Sequence, residues 1–151
     1  TSGMNKNLKT VSSYLFSESS LLFLFMPEVE SIADFAFQYS SLTAVCFLKV
    51  KSVGDDAFYG CEELIPVFLP VCEELGERCF DGCTKIKILN LPKVKKIGQR
   101  QFLDCSSLTD LIIPSVEEID CLLFIRYFNK QQICVRQLWT FIVLIIFVYI
   151  T

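Results

Sequence analysis

Leu91 to Asp120 reads LPKVKKIGQRQFLDCSSLTDLIIPSVEEID, and it holds one complete cycle of a repeat. Pro92, Val94, Ile97, Gly98, Phe102, Cys105, Leu108, Leu111 and Ile113 form its apolar and small-residue skeleton. The skeleton starts again at Pro114, Val116 and Ile119. Its gaps hold neither the strand period of about 2 nor the helix period of about 3.6 for long, so no single long element fits.

Upstream the same skeleton recurs. One cycle runs Pro27, Val29, Ile32, Ala33, Phe37, Leu42, Val45, Phe47; the next runs Val50, Val53, Gly54, Phe58, Cys61, Leu64, Val67, Leu69. A third runs Pro70, Cys72, Leu75, Gly76, Phe80, Cys83, Ile86, Leu89, Leu91. Phe37, Phe58, Phe80 and Phe102 stand 21, 22 and 22 residues apart, a spacing that chance matches do not keep. Regular Leu and Ile positions at a period of roughly 20 to 29 residues are the mark of a leucine-rich solenoid. One such unit cannot bury its own apolar edge, so stacking must place like residues in columns.

Each marker has a physical reason. The run Leu108, Leu111, Ile113 suits a short strand with alternate side chains pointing inward. The proline after it ends the strand, because it has no N–H to donate. The step Val94, Ile97, Gly98 predicts a second extended segment ending in a turn, with Gly98 permitting positive φ. Gln99 to Cys105 is too short for an ordinary α-helix and suits a single helical turn that drops Phe102 into the core. The predicted fold class is thus an α/β solenoid, with parallel strands on one face and extended segments and short helical turns opposite.

Composition narrows the function. The chain has 151 residues, 52% of them hydrophobic, and a formal net charge of -3. Residues 1–120 carry all 17 acidic groups against 11 basic ones, while residues 121–151 carry only Arg126, Lys130 and Arg136. An acidic body argues against nucleic-acid binding. The absence of histidine removes the usual general base, most metalloenzyme sites and every Ser-His or Cys-His pair. No P-loop, dinucleotide glycine fingerprint or nucleophile elbow is present. An enzyme is not expected, nor any cofactor or metal.

The chain divides into three parts. Residues 1–14 are polar and aperiodic, a frayed end or the remnant of an earlier cycle. Residues 15–120 carry the repeats, some four to five copies. Residues 121–151 lose the pattern and end in the run LWTFIVLIIFVYI, Leu138 to Ile150. That run is short of the roughly 20 apolar residues a span needs, yet Trp139 and Tyr149 suit interfacial positions. Residues 133–151 are therefore a candidate membrane anchor, the alternative being a buried terminal strand or helix.

The pattern Leu-x-x-Leu-x-Leu-Pro-x-Val-x-x-Ile-Gly-x-x-x-Phe-x-x-Cys-x-x-Leu resembles the BspA-like leucine-rich repeats. It stands here as LTDLIIPSVEEI, LNLPKVKKIGQRQFLDCSSL and VKSVGDDAFYGCEEL. The resemblance implies a curved solenoid with a strand-lined concave face, typical of surface and secreted proteins, with roles in adhesion, host-matrix binding and partner recognition. Leu48 departs from it where proline is expected, the copy around Phe37 lacks the cysteine, and Cys72 takes the phase of Val94. The implied location is the cell surface or a membrane. A cytoplasmic body is the alternative, because basic residues ahead of an inserted tail would keep it inside.

Candidate chemistry is weighed against plainer roles. Cys61, Cys83 and Cys105 share one phase and should stack in a buried column, as small hydrophobes or as a disulfide between neighbours. Cys72, Cys79 and Cys83 lack the CxxC spacing of a zinc site. The acid pairs Asp55-Asp56, Glu62-Glu63, Glu73-Glu74 and Glu117-Glu118 recur at loop phases, as a solvated surface would. Lys93, Lys95 and Lys96, with Lys85 and Lys87, form a small basic patch.

The sharper hint is strand alternation. If Val45, Phe47, Val67, Leu69, Leu89, Leu91, Leu111 and Ile113 point inward, then Phe25, Cys46, Phe68, Asn90 and Ile112 form one outward column. A second holds Phe23, Ala44, Pro66, Ile88 and Asp110. So apolar a face marks either an interface for a protein partner or host-surface ligand, or a surface covered by the tail or by further repeats.

Overall fold

A proline, a glycine or a turn interrupts each cycle every few residues, so only very short strands form. The computed structural model of the chain describes residues 8–98 and 100–119. Its strands in chain order are β1 (Thr10–Val11), β2 (Phe23–Phe25), β3 (Ser31–Ile32), β4 (Ala44–Cys46), β5 (Ser52–Val53) and β6 (Val67–Phe68). There follow β7 (Glu74–Leu75), β8 (Ile88–Asn90), β9 (Lys96–Ile97), β10 (Asp110–Ile112) and β11 (Glu118–Ile119). All the pairings are parallel and join one coil to the next.

The even-numbered strands line one side of the stack as two sheets, β2–β4–β6 and β8–β10. The odd-numbered strands line another side as β1–β3–β5–β7 and β9–β11. The result is a parallel β-solenoid of about five coils. Among the described residues the stack begins at β1, inside the segment 1–14: Thr10 pairs with Ser31 and Val11 with Ile32. Residues 121–151, and with them the candidate anchor at 133–151, lie outside the described residues.

The helical part of the expected α/β class is corrected. Among the described residues no helix forms. The stretch around each core phenylalanine is a run of turns, closed by bonds such as Ser40 N to Phe37 O (3.0 Å) and Tyr59 N to Asp56 O (3.1 Å). Every second N–H there points at the following coil: Phe35 N to Asp55 O (2.9 Å), Phe37 N to Ala57 O (2.8 Å) and Tyr39 N to Tyr59 O (2.8 Å). Those donors are the ones an α-helix needs for its own i−4 carbonyls. Stacking takes them, and the turn becomes a third ladder. Left-handed residues flank it, as at Phe35 and Tyr39, Asp56 and Gly60, Arg78 and Gly82.

The glycine after each second strand also has another reason than the one its sequence suggests. Gly54, Gly76 and Gly98 do not have positive φ; among the described residues the left-handed glycines are Gly60 and Gly82. A Cβ on Gly54 or Gly76 would overlap the main chain of the preceding coil, so these two are glycine for close approach.

The core is one file of buried side chains from Val11 to Ile113. Phe16, Phe37, Phe58 and Phe80 stack ring on ring at 5.4, 5.0 and 5.3 Å, near the roughly 4.7–4.9 Å separation of parallel strands. Phe102 continues the file at 6.2 Å.

Candidate functional site

The pleat decides what the even-numbered strands show to solvent. Leu24, Val45, Val67, Leu89 and Leu111 are buried, so their neighbours face out. Phe23 is 61% exposed, Phe25 50%, Phe68 52%, Ile88 58% and Ile112 41%. Cys46 is half-buried and Asn90 exposed. Strand register sets Phe25 beside Cys46 and Cys46 beside Phe68 in one file. Asn90 stands beside Ile112, and Ile88 beside Asp110.

The two outward files are not continuous with each other. β6 and β8 stay in contact but belong to different sheets, so the main-chain pairing beneath the expected column lapses between Phe68 and Asn90. The face also includes residues that alternation alone does not single out: Leu22 and Ile65 are exposed just ahead of β2 and β6.

The odd-numbered strands provide the contrast. Their outward positions are Thr10, Ser31, Ser52, Glu74, Lys96 and Glu118, an entirely polar file. Thr10 and Ser31 share a hydroxyl hydrogen bond at 2.8 Å. The same fold therefore builds one ordinary solvated sheet surface and one apolar one.

The charged residues tie coil to coil. Lys9–Glu30, Glu28–Lys49, Asp56–Arg78, Glu63–Lys85, Glu73–Lys95 and Lys96–Glu118 all join residues 21 or 22 apart. The acid pairs and the basic patch are thus largely one feature seen from its two sides. Asp55 Oδ1 accepts from Glu77 N (2.8 Å), while buried Asp56 accepts from Arg78 (2.8 Å), whose guanidinium also lies 5.4 Å from the Tyr59 ring centroid.

The cysteines of the described residues are free thiols, and Cys121 and Cys134 lie outside those residues. Cys61, Cys83 and Cys105 donate to the carbonyls of Phe37, Phe58 and Phe80 at 3.1, 3.2 and 3.0 Å. Each of these carbonyls also accepts a main-chain N–H, from Ser40, Cys61 and Cys83, so the thiol takes up its second lone pair. Ser40 holds the same phase one coil earlier and contacts Cys61 Sγ at 3.3 Å. Burial pushes the Cys61 thiol up to about 11 and those of Cys72 and Cys105 to about 12, so they stay protonated and unreactive. No group of side chains able to hold a metal occurs among the described residues.

A cleft of about 820 Å³ opens between β7 and β9, lined by Glu73, Glu74, Glu77, Lys95, Lys96, Arg100 and Gln101 among others. Its charged groups sit exposed or half-exposed on the rims. Its one buried polar side chain, Gln101, is engaged by main-chain atoms. The cleft brings together no nucleophile and base.

Comparison with known proteins accords with this architecture. Residues 30–147 match the BspA type leucine rich repeat region, in six copies. The chain belongs to the BspA-type leucine-rich repeat family. The family match runs past residue 120, where the pattern fades to the eye. A leucine-rich repeat protein from Bacteroides ovatus ATCC 8483 is similar in structure, with a TM-score of 0.58 and 23% identity. The alignment covers 78% of this chain and 38% of that one, and at this identity it speaks for the fold alone. No curated protein matches the chain. A BspA-type repeat array is consistent with a protein-binding module. Among the described residues no helix is long and apolar enough to cross a membrane.

Proposed function

We propose that this BspA-type array is a non-enzymatic binding and adhesion module of a surface protein. It takes a protein partner or host-surface ligand on the outward face of the even-numbered strands. Phe23, Phe25, Cys46, Phe68, Ile88, Asn90 and Ile112 form the contact surface, with Phe25 and Phe68 at its centre. The observation that carries this reading is the contrast between the two sides of the stack. One shows Thr, Ser, Glu and Lys, the other shows Phe and Ile at 41 to 61% exposure. Aromatic anchors of this kind dominate protein interfaces, and an apolar surface gains little from being left in water.

The test compares the full chain with Phe25→Asp and Phe68→Asp for binding to immobilised extracellular-matrix proteins. Circular dichroism checks the fold. Both side chains are outside the core, so folding should persist while binding falls by about tenfold or more. Retained folding with unchanged binding would overturn the proposal. A second reading rests on the same apolar face, which further repeats would cover: the array is a structural section of a longer repeat protein without activity of its own. Further repeats in the full gene, together with a panel none of whose members binds, would favour it. Protease treatment of intact cells expressing the chain with and without residues 133–151 tests the surface location and the anchor.

A further inference from the structure

Between β7 and β9 a side chain stands where the main chain bonds directly elsewhere. In the earlier coils Ala33 N donates to Val11 O (2.9 Å), Gly54 N to Ile32 O (2.8 Å) and Gly76 N to Val53 O (2.7 Å). Gly98 N donates instead to Gln101 Oε1 (2.9 Å). Gln101 Nε2 then donates to Leu75 O (2.7 Å) and Gly76 O (3.2 Å). The carboxamide has an acceptor and a donor like a peptide group, and it is inserted into the ladder as one. Its phase in the preceding coils holds Ala36, Ala57 and Cys79, which cannot do this.

Three separate features show the coils spread at this junction. The β7/β9 and β6/β8 pairings are both missing, so the two strand ladders lapse at the same level, while the turn ladder still crosses it through Phe80 N to Gln101 O (3.1 Å) and Gly82 N to Leu103 O (2.8 Å). The Phe80–Phe102 ring separation is 6.2 Å, against 5.0 to 5.4 Å earlier. A Cβ on Gly98 would meet nothing nearer than Gln101 Cδ at 3.9 Å, whereas one on Gly54 or Gly76 would overlap main chain.

We propose that Gln101 is a built-in spreader that makes this junction a hinge. The array opens there as two blocks, one bearing β1 to β7 and the other β8 to β11. The hinge divides the apolar face between Phe68 and Asn90. Only that last consequence rests on the proposed binding role; the hinge is read from main-chain protection, which needs no partner.

The experiment is amide hydrogen exchange by mass spectrometry on the full chain. In the wild type, β8–β11 amides should exchange through an opening that leaves β2–β6 protected. Gln101→Ala restores the short side chain of Ala36 and Ala57 and lets Gly98 N reach Leu75 O. Exchange of the second block should then slow by about tenfold. Gln101→Glu keeps the acceptor for Gly98 N but turns a carboxylate oxygen toward two carbonyls. It should speed the second block by at least about tenfold and leave the first unchanged. The proposal falls if the wild-type blocks exchange alike, if Gln101→Ala leaves the second block unchanged, faster or unfolded, or if Gln101→Glu speeds both blocks equally.

Discussion

Phe58→Ala is the most demanding test of the stacked core. The ring is fully buried, with Phe37 at 5.0 Å, Phe80 at 5.3 Å and Phe47 tilted at 6.5 Å. Truncating a buried phenylalanine costs about 3–5 kcal/mol, more where the site cannot collapse. Collapse is blocked here, because the neighbouring coils are held by Phe37 N to Ala57 O (2.8 Å) and Phe58 N to Cys79 O (2.9 Å). Each lost aromatic pair adds about 0.5–1.5 kcal/mol beyond area. The expected loss is therefore near the top of the range, about 5 kcal/mol, in a class of molecule whose net stability is about 5–15 kcal/mol. Urea unfolding followed by far-ultraviolet circular dichroism measures it, with Phe68→Ala, an exposed phenylalanine, as the control expected within about 0.5 kcal/mol. The transition should also broaden, because a broken coil uncouples its neighbours. A loss below about 2 kcal/mol, or one matched by Phe68→Ala, would refute the shared column.

The buried thiols give stability a pH dependence. Folding raises Cys61 to about 11 and Cys72 and Cys105 to about 12, from 9.0, and also pushes up Cys79 and Cys83. Below about pH 9 these thiols are protonated whether folded or not, so stability is flat there; it falls as pH rises toward about 12, by about 1.4 kcal/mol per unit for each thiol. Denaturation midpoints measured from pH 7 to 11 check this, and a midpoint that does not decline above pH 9 would contradict the burial. Gly76→Ala should cost about 1–3 kcal/mol by forcing main chains apart, while Gly98→Ala should change stability by less than about 1 kcal/mol. Equal losses in thermal unfolding would show that the coils are evenly spaced after all.

Much of the fold was legible because stacking demands the same side chain at the same phase. Phe37, Phe58, Phe80 and Phe102 announced the column, and Cys61, Cys83 and Cys105 their place behind it. The outward residues of the even-numbered strands followed from the pleat. The turn segment reads as helical in the sequence because its residues fit one helical turn as well as a run of turns. Only the neighbouring coil, by taking every second N–H, decides between them. The glycines pose a related problem: sequence context does not distinguish positive φ from the close approach seen at Gly54 and Gly76, and Gly98 has neither. The acid pairs recur with the period, but their cross-coil lysine and arginine partners come from stacking at a distance of 21 or 22 residues.

Sequence alone determined the coil length, the inward and outward phases and the stacking of parallel strands into a solenoid, since each depends on a repeat that can be counted. Tertiary structure alone decided where the ladder breaks. Gln101 occupies a phase held elsewhere by alanine and cysteine, and nothing in that substitution says that its carboxamide will reach the main chain of the coil before it. That depends on where Leu75 O and Gly98 N lie in space, which no spacing along the chain records.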